Sequence, residues 1–501
     1  MTKGVIATPH RLASEAGAQI LRDGGNAVDA AIAADAVLCV LYPHMTSIGG
    51  DLMAIVWQAG AASPVGLIGA GRAGELATID AIRSRGHDTM PERGVLSVTV
   101  PGTVEAWGRL LERFGTLGMA PLLDAASGLA RDGYIITDRL SDCLKEDADL
   151  LGRERAAKEL YPPMDGGMLL RNPDLASVLT DIGRAGIGGF YRGEIAAAIA
   201  EAIKKRDGLV TARDLATHRS EWVNPLSVEY RDLTVYELPP PTQGLAALAM
   251  LARLNRLTKQ ELEPGPEFVT AFKKIRDACY SLRDRYITDP DFIAAPLEPF
   301  LDPSHVTAGG GGDAHDGGDT VYLCAADEQG NLVSLIQSVS YGFGSGIVAE
   351  GTGILLQNRG CYFKLDPSHV NRIEPKKRTM HTLIPALAMR AGKPWALFGT
   401  MGGEGQPQIQ SQVLINLVDH QLEPAEAVAR PRVRVRAGGS TVSVEADYPH
   451  AADLKRSGLE IELMPAQHST FGHAQAIVID GPQVWRAGAD PRSDGSVAWS
   501  S

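Results

Sequence analysis

Thr320 combines a potential nucleophile with a sharp change in the character of the chain. A glycine-rich stretch at 308–318 precedes it, and a β-like run at 320–326 begins with it. If the bond between Asp319 and Thr320 is cut, the new α-amine, with a usual pKa of about 7.7–8.0, can act as base for the Thr320 hydroxyl. The sequence therefore indicates a cleavage site and an N-terminal threonine nucleophile. The alternative is an uncut loop followed by an ordinary β-hairpin.

Ser338 is placed to support that nucleophile. It lies in a second β-like run at 332–340, and the residues at 327–331 between the two runs are typical of a turn. If the two runs pair as a hairpin, Ser338 comes level with Thr320 and can hydrogen-bond it. The alternative is an ordinary strand serine.

Gly402 and Gly403 follow a predicted strand and precede a predicted helix. Glycine permits backbone conformations in which N–H groups point into a cavity at the start of a helix. Such N–H groups form the oxyanion hole that amide hydrolysis requires. A simple left-handed turn is the alternative.

Arg72 lies in a glycine-rich loop. A guanidinium there can bind a substrate carboxylate through two hydrogen bonds, although most arginines are surface residues. The same loop matches the GxGxxG pattern of dinucleotide-binding proteins at Gly69, Gly71 and Gly74. That pattern also requires a second parallel strand ending in an acidic residue about 20 residues further on, and none is visible. Dinucleotide binding is therefore the weaker alternative, and no cofactor is expected.

The composition argues against several classes of function. The net charge of −12 argues against a nucleic-acid partner, because nucleic acids are usually bound through a basic surface. The five cysteines are odd in number and lack CxxC spacing, which indicates a reducing compartment and neither a disulfide framework nor a zinc site. The histidines form no HExxH motif, no serine lies in a GxSxG elbow, and no metal site is predicted.

The N-terminal residues contain no apolar signal segment of the usual length. No run reaches about 18 consecutive apolar residues, the length needed to span a membrane as a helix. We therefore expect a cytoplasmic protein with no membrane partner.

Helices and sheets must position these residues. The N-terminal part predicts helices at 11–23 and 27–41, the second of them buried because it is almost wholly apolar. A long helical region is predicted at 120–206. Blocks of strands and helices indicate an α+β fold in which helices cover sheets. Further strands are predicted at 48–57, 233–238, 382–390 and 395–398, and further helices at 104–114, 245–286 and 407–419.

Several separate segments resemble the γ-glutamyltranspeptidase family of N-terminal nucleophile hydrolases, in the right order and over nearly the whole chain. The tail at 489–495 and the loop around Arg72 are more similar to its acylase and amidohydrolase branch, which includes oxamate amidohydrolase and cephalosporin-acylase-like proteins. The matching segments are 23–31, 101–104, 129–134, the run from Thr320, 342–348, 353–358, 375–378 and the Gly402-Gly403 pair.

The resemblance implies a four-layer αββα sandwich of the N-terminal nucleophile hydrolase type. It implies a precursor that cuts itself before Thr320, giving a large piece at 1–319 and a small catalytic piece at 320–501 that fold together as one domain. It also implies that Thr320 Oγ attacks a substrate amide, that Gly402 and Gly403 stabilise the oxyanion, and that the α-amine relays the proton. The family allows two processed heterodimers to associate.

Four positions depart from the family pattern. In transpeptidases an acidic residue and an asparagine hold the glutamyl α-amine, and the matching positions here are Tyr362 and Ser340. The family's serine pair appears as His381 and Thr382, whereas Arg72, the family's carboxylate clamp, is retained. We therefore expect an amidohydrolase whose small amide substrate carries a carboxylate and lacks the α-ammonium group, with hydrolysis favoured over transfer.

Two further functions remain open. One is a γ-glutamyl hydrolase or transpeptidase that acts on glutathione-like amides and binds the α-amine of the glutamyl group through Tyr362 and His381. The other is an uncut homologue that binds a ligand without catalysis.

Overall fold

The computed structural model describes residues 3–293, 296–304, 318–456 and 458–500. The glycine-rich stretch predicted at 308–318 lies outside these residues, apart from Gly318. The strands are β1 (Gly4–Thr8), β2 (Asp51–Trp57), β3 (Val65–Gly69), β4 (Tyr134–Ile135), β5 (Leu169–Leu170), β6 (Glu221–Val223), β7 (Leu226–Tyr230), β8 (Leu233–Glu237), β9 (Asp319–Asp327), β10 (Leu332–Ser340), β11 (Val348–Ala349), β12 (Ile354–Leu355), β13 (Ala386–Arg390), β14 (Lys393–Thr400), β15 (Val433–Val435), β16 (Thr441–Glu445), β17 (Glu460–Met464), β18 (Ala474–Gly481), β19 (Val484–Ala489) and β20 (Ser496–Trp499).

The helices alternate with these strands along the chain. They are α1 (Arg11–Arg22), α2 (Ala27–Leu41), α3 (Ile79–Arg83), α4 (Thr103–Phe114), α5 (Met119–Asp132), α6 (Asp138–Glu146), α7 (Ala148–Leu151), α8 (Arg155–Leu160), α9 (Pro173–Ala185), α10 (Ile187–Tyr191), α11 (Glu194–Lys204), α12 (Ala212–Thr217), α13 (Gly244–Leu254), α14 (Pro266–Tyr286), α15 (Gln406–Val418), α16 (Pro424–Ala429) and α17 (Ala451–Leu454). Within the described ranges, no helix combines the length and the apolar character that crossing a membrane requires.

Two antiparallel sheets dominate the structure. One has seven strands in the order β20-β1-β9-β10-β2-β3-β6, and the other has six in the order β19-β18-β14-β13-β8-β7. Helices and strands are thus mixed as predicted for an α+β fold.

The three largest hydrophobic clusters of the described residues hold the two large sheets and their helices together. One contains side chains from both large sheets, including Tyr322 of β9 and Leu397 of β14. A second joins the seven-stranded sheet to α2 and α5, and a third joins the six-stranded sheet to α13, α14 and α15. Burial of apolar surface on both faces of each sheet is the main stabilising contribution here.

The second predicted helix forms at the predicted residues. Asn26 caps α2, because its Oδ1 accepts hydrogen bonds from the Val28 and Asp29 N–H groups while the Asp29 carboxylate accepts one from the Asn26 N–H. Every residue of α2 is buried, as its continuous apolar sequence predicts.

The β9–β10 hairpin forms as predicted and carries Thr320. The strands are in register from Leu332 opposite Ala326 to Gln337 opposite Val321, and the register then shifts so that Ser340 lies opposite Asp319. The shift is a β-bulge, which bends a strand and redirects its side chains. It lies directly beside Thr320.

The predicted helical region at 120–206 is only partly correct. It is divided into the helices α5 to α11, and it contains the two-stranded sheet of β4 and β5. Glycines such as Gly133, with φ of +95°, end helices that the apolar pattern alone would continue. The helices predicted at 245–286 form as α13 and α14, and Pro266 begins α14 after a loop.

Candidate active site

Thr320 is the second residue of β9, and only 1% of its surface is exposed. Its Oγ has no hydrogen-bond partner among the residues that the structure describes. Because buried hydroxyl groups in folded proteins are nearly always hydrogen-bonded, this one needs a specific explanation. An unpaired hydroxyl leaves its oxygen available to attack a carbonyl carbon.

Ser338 holds the carbonyl group of the peptide bond that precedes Thr320. Its Oγ donates a hydrogen bond to the Asp319 carbonyl oxygen at 2.5 Å and accepts one from the Ser340 N–H at 2.7 Å. The sequence predicts a hydrogen bond from Ser338 to the Thr320 hydroxyl instead. The bulge in β10 accounts for the difference, because it inserts one residue between Gln337 and Ser340. A donor on the carbonyl oxygen favours nucleophilic attack on the carbonyl carbon.

Gly402 and Gly403 lie beside the same bond. Both have left-handed backbone angles, with φ of +132° and +53°, and a 3-10 turn at Gly403–Gly405 leads from them into α15. A Cβ added to Gly318 would lie 2.5 Å from the Gly403 Cα, so these two backbones touch in a way that only glycines allow. The role of the pair as oxyanion donors stays a prediction.

Asp319, the residue before the bond, has a carboxyl group in an acidic and poorly solvated position. Burial, and next the negative charge of Asp147, raise its pKa to about 6. The two carboxyl groups flank Gly342, where an added Cβ would lie 3.0 Å from an oxygen of each. Sequence reasoning missed Asp147, because it belongs to no recognisable motif and reaches the site only through the tertiary fold.

The guanidinium of Arg72 is held in a network of ion pairs. Its Nη1 donates to Asp289 Oδ2 at 2.8 Å, and its Nη2 lies 2.7 Å from Glu221 Oε1 and 3.4 Å from Asp291 Oδ2. Arg378 binds the same Asp289 and Glu221, at 2.9 and 2.8 Å. The predicted carboxylate clamp therefore already contacts three protein carboxylates. To bind a substrate it would have to exchange one of them.

His381 is buried against Asp51, with its Nε2 3.1 Å from Asp51 Oδ2. Burial, and next the positive charge of Arg359, lower the pKa of His381 to about 4, although Asp51 opposes the shift. The imidazole is therefore neutral at neutral pH. Asp51 also accepts a hydrogen bond from the Gly71 N–H at 2.9 Å, which connects this pair to the loop that carries Arg72.

Ser340 and Thr382 lie on different sides of the candidate nucleophile. Ser340 faces Asp319 across the hairpin, has φ of +88°, and has a buried side chain beside the Cys361 thiol. Thr382 Oγ accepts a hydrogen bond from Arg359 Nη1 at 3.0 Å. Neither side chain supplies the negative charge that an α-ammonium group requires.

Tyr362 lies between Tyr341 and Arg359. Its ring stacks on Tyr341 with centroids 6.0 Å apart and planes 8° from parallel, and the Arg359 guanidinium carbon lies 5.2 Å from its centroid. Burial raises the pKa of the Tyr362 hydroxyl well above its usual range, so this position is uncharged. Sequence reasoning missed Arg359. One signal in the sequence could have indicated this residue, because Arg359 directly follows the family-like segment 353–358.

The structure thus brings together Thr320, Ser338, Ser340 and the Gly402-Gly403 pair. Among the contacts of the described residues, none joins Arg72 to Thr320. The arrangement offers a buried hydroxyl and a polarised carbonyl group, and it can support acyl transfer from the Asp319 carbonyl to the Thr320 hydroxyl.

Comparisons with known proteins agree on one family. A profile of the family described as gamma-glutamyltranspeptidase matches residues 13–500. The chain is 36% identical to the glutathione hydrolase-like YwrD proenzyme of Bacillus subtilis, over 99% of this chain and 98% of that protein. It is 33% identical to the oxamate amidohydrolase proenzyme of Klebsiella pneumoniae, also over 99% of this chain and 98% of that protein.

A solved structure gives the same result. The crystal structure of cephalosporin acylase from Bacillus halodurans superimposes with a TM-score of 0.90 and 36% sequence identity. The match covers 99% of this chain and 96% of that one.

Proposed function

Since the chain belongs to the γ-glutamyltranspeptidase family, we propose that it is an autoprocessing N-terminal threonine amidohydrolase that hydrolyses a small carboxylate-bearing amide. The observation that carries the proposal is the pairing of an unpartnered, buried Thr320 Oγ with an Asp319 carbonyl held by Ser338. Relatives with the printed names oxamate amidohydrolase and cephalosporin acylase support the general type of reaction.

Maturation begins with attack of Thr320 Oγ on the Asp319 carbonyl carbon. The C–N bond breaks, the nitrogen takes up the proton that the Thr320 hydroxyl releases and becomes the α-amine of Thr320, and an ester joins the two residues. Water then hydrolyses the ester, which leaves a carboxylate on Asp319 and a free hydroxyl on Thr320. The products are the pieces 1–319 and 320–501. Ser338 stabilises the negative charge that develops on the Asp319 oxygen.

Turnover uses the same groups on an external amide. Thr320 Oγ attacks the substrate carbonyl, and its α-amine takes the hydroxyl proton and delivers it to the leaving amine. N–H groups of Gly402 and Gly403 stabilise the oxyanion. Water then attacks the acyl ester and releases the acid.

The substrate class follows from the side chains around the nucleophile. Ser340, Tyr362, His381 and Thr382 provide no carboxylate to bind an α-ammonium group, and His381 is neutral. Arginine side chains nearby can bind a carboxylate instead. An acyl group with a carboxylate and without the amine fits this environment.

The proposal extends to the architecture and the location of the protein. The three separate hydrophobic clusters support the layer order αββα. All five cysteines are unpaired, which supports a reducing, cytoplasmic environment. Association of two processed heterodimers is part of the same proposal.

Intact-mass analysis under denaturing conditions tests the nucleophile. We expect the wild-type protein to give two fragments that meet between Asp319 and Thr320, and Thr320→Ala to give one uncut, inactive chain. Thr320→Ser is the matched control, since it keeps the hydroxyl and should still be cut. An uncut wild-type chain, or a cut and active Thr320→Ala variant, would contradict the proposal.

The second candidate is γ-glutamyl hydrolysis or transfer, which the name of the Bacillus subtilis relative favours. Release of the amine from a γ-glutamyl anilide, with and without glycylglycine as acceptor, separates the two. The amidohydrolase proposal expects faster hydrolysis of dicarboxylic monoamides than of the γ-glutamyl donor, and no acceleration by glycylglycine.

A further inference from the structure

We propose that Arg359, and not Arg72, is the side chain that binds the substrate carboxylate. This inference rests on the proposed function, because it identifies the substrate-binding group of that site. It concerns a residue that lies outside every motif considered above.

Arg359 is a buried cation with unused hydrogen-bond donors. Only 1% of the residue is exposed, and its Nη1 donates to the Thr382 hydroxyl at 3.0 Å. Its Nε and Nη2 have no partner among the residues that the structure describes, and none of those residues forms an ion pair with it. An unpaired charge inside a protein is costly, so a site that retains one has a negatively charged partner to bind.

The two unpaired donors have the geometry of a carboxylate site. The N–H groups on Nε and Nη2 lie on the same edge of the guanidinium plane, and this edge binds both oxygens of a carboxylate through parallel hydrogen bonds. Tyr362 lies against the face of the same guanidinium, and Thr382 holds the opposite nitrogen. The unpaired edge is therefore fixed in place before a ligand arrives.

Arg72 lacks this capacity. Both of its Nη atoms are engaged by carboxylates of the protein, two of which are shared with Arg378. Binding of a substrate there would leave one of these carboxylates without its partner. Arg359 gains a partner without losing one.

Contacts place Arg359 between the two elements that flank the candidate nucleophile. On one side, Gln243 Nε2 donates to the carbonyl oxygens of both Thr382 and Gly403, at 3.0 Å each, and Gly403 touches Gly318. On the other side, Tyr362 stacks on Tyr341.

Tyr341 completes this second connection, because it directly follows Ser340, which pairs with Asp319. Cleavage before Thr320 detaches Gly318 and Asp319 from the nucleophile.

The charges in this region select an anion. His381 is neutral because burial and the charge of Arg359 lower its pKa to about 4, and the hydroxyl group of Tyr362 is uncharged. Arg359 directly contacts Thr382 and Tyr362, and the nearby carboxylate of Glu404 is already paired with Arg283 at 2.8 Å. The ligand class that fits is a monoamide of a short dicarboxylic acid, with its free carboxylate on Arg359 and its amide carbonyl on Thr320.

The first test compares charged and neutral substrates. Cleaved wild-type protein and the variants Arg359→Gln, Arg359→Lys and Arg72→Gln are assayed with succinamate and with its neutral counterpart succinamide. We expect Arg359→Gln to raise KM for succinamate about 10- to 100-fold, as loss of hydrogen bonds to a charged group implies, and to leave succinamide hydrolysis nearly unchanged. Arg359→Lys should raise KM for succinamate less than Arg359→Gln does, because lysine keeps the positive charge but lacks the paired donors.

The second test measures binding without catalysis. Calorimetric titration of the cleaved proteins with malonate, succinate and glutarate should show binding to wild type and its loss in Arg359→Gln. If Arg359→Gln is not cut or does not fold, Arg359→Lys provides the same comparison. Equal losses for succinamate and succinamide, a charge-selective loss in Arg72→Gln instead, or dicarboxylate binding that is the same in wild type and Arg359 variants would overturn the inference.

These outcomes are distinguishable from failure of the proposed function. If the wild-type chain is uncut, or is cut and hydrolyses no carboxylate-bearing amide, the proposed function is wrong. The titration then still tests whether Arg359 binds an anion. Dicarboxylate binding that depends on Arg359 would support the site, and absence of binding would contradict it.

Discussion

The hydroxyl of Ser338 connects two backbone groups across the bulge, the Asp319 carbonyl and the Ser340 N–H. This arrangement aims the Ser338 proton at the oxygen that becomes negative when Thr320 attacks. We expect Ser338→Ala to slow cleavage before Thr320 by about 100-fold, the usual cost of removing one oxyanion donor. The measurement is a time course of intact mass during refolding or cell-free synthesis.

Ser338→Thr is the control for that experiment, because it keeps the hydroxyl group at the same position. It should mature at close to the wild-type rate. Cleavage of Ser338→Ala at an unchanged rate would show that the hydrogen bond to the Asp319 carbonyl does not contribute to maturation.

Asp319 makes the stability of the uncut chain depend on pH. Its pKa in the folded protein is about 6 against a usual value of 3.8, so the native state binds more protons than the unfolded state between these pH values. The unfolding free energy therefore falls as pH rises through this range. We expect Asp319→Asn, in an uncut Thr320→Ala background, to be the more stable protein at pH 7 by up to about 3 kcal/mol, because each pKa unit corresponds to about 1.4 kcal/mol.

Denaturant unfolding of the two proteins between pH 4 and pH 7 measures this difference. It should be small near pH 4, where Asp319 is largely protonated in the folded chain, and should grow toward pH 7. A difference that stays constant across the range would mean that Asp319 titrates normally.

Local sequence was informative where a site residue lies beside the element that positions it. Thr320 and Ser338 could be placed on a hairpin, and Gly402 and Gly403 could be placed at a helix start, because each motif contains its own turn or strand. The acidic neighbour Asp147 and the unpaired donors of Arg359 could not be found this way. Both depend on contacts between segments that are far apart in the chain.

At the scale of elements, the same distinction explains which helices and strands were predicted well. The helix α2 begins and ends as predicted because the capping residue Asn26 and a continuous apolar run lie together in the sequence. The strand β10 also has the predicted bounds. The prediction for 120–206 lacked detail because glycines end α5, α7 and α9 there, and apolar periodicity does not show such breaks.

The packing of one sheet on the other could not be predicted from local sequence either. Gly399 of β14 lies under the ring of Tyr322 on β9, where an added Cβ would approach ring carbons to 2.4 Å. The Tyr322 hydroxyl pairs with Ser334 of β10 at 2.9 Å, which fixes the ring. A glycine inside a strand signals close approach, but the sequence does not identify the partner.

At the scale of the whole molecule, the proposed cleavage point divides the strands of both large sheets between two pieces. In the seven-stranded sheet, β1 from the large piece lies between β20 and β9 from the small piece, and β10 pairs with β2. In the six-stranded sheet, β13 pairs with β8. The two pieces thus share four strand-to-strand boundaries and one set of hydrophobic cores.

We therefore expect the fragments 1–319 and 320–501 to behave as one particle after maturation. Separation would expose the edges of β1, β2, β8, β9, β10, β13 and β20 together with the apolar faces of both sheets, and exposed edges and apolar faces are strongly disfavoured in water. Size-exclusion chromatography in native buffer should elute both fragments in one peak, with the same apparent size as the uncut Thr320→Ala chain. The same sample in concentrated guanidinium should give two peaks. Two native peaks would mean that the strands do not interleave as described, because a sheet with β1 inserted between β20 and β9 cannot release either piece without unfolding.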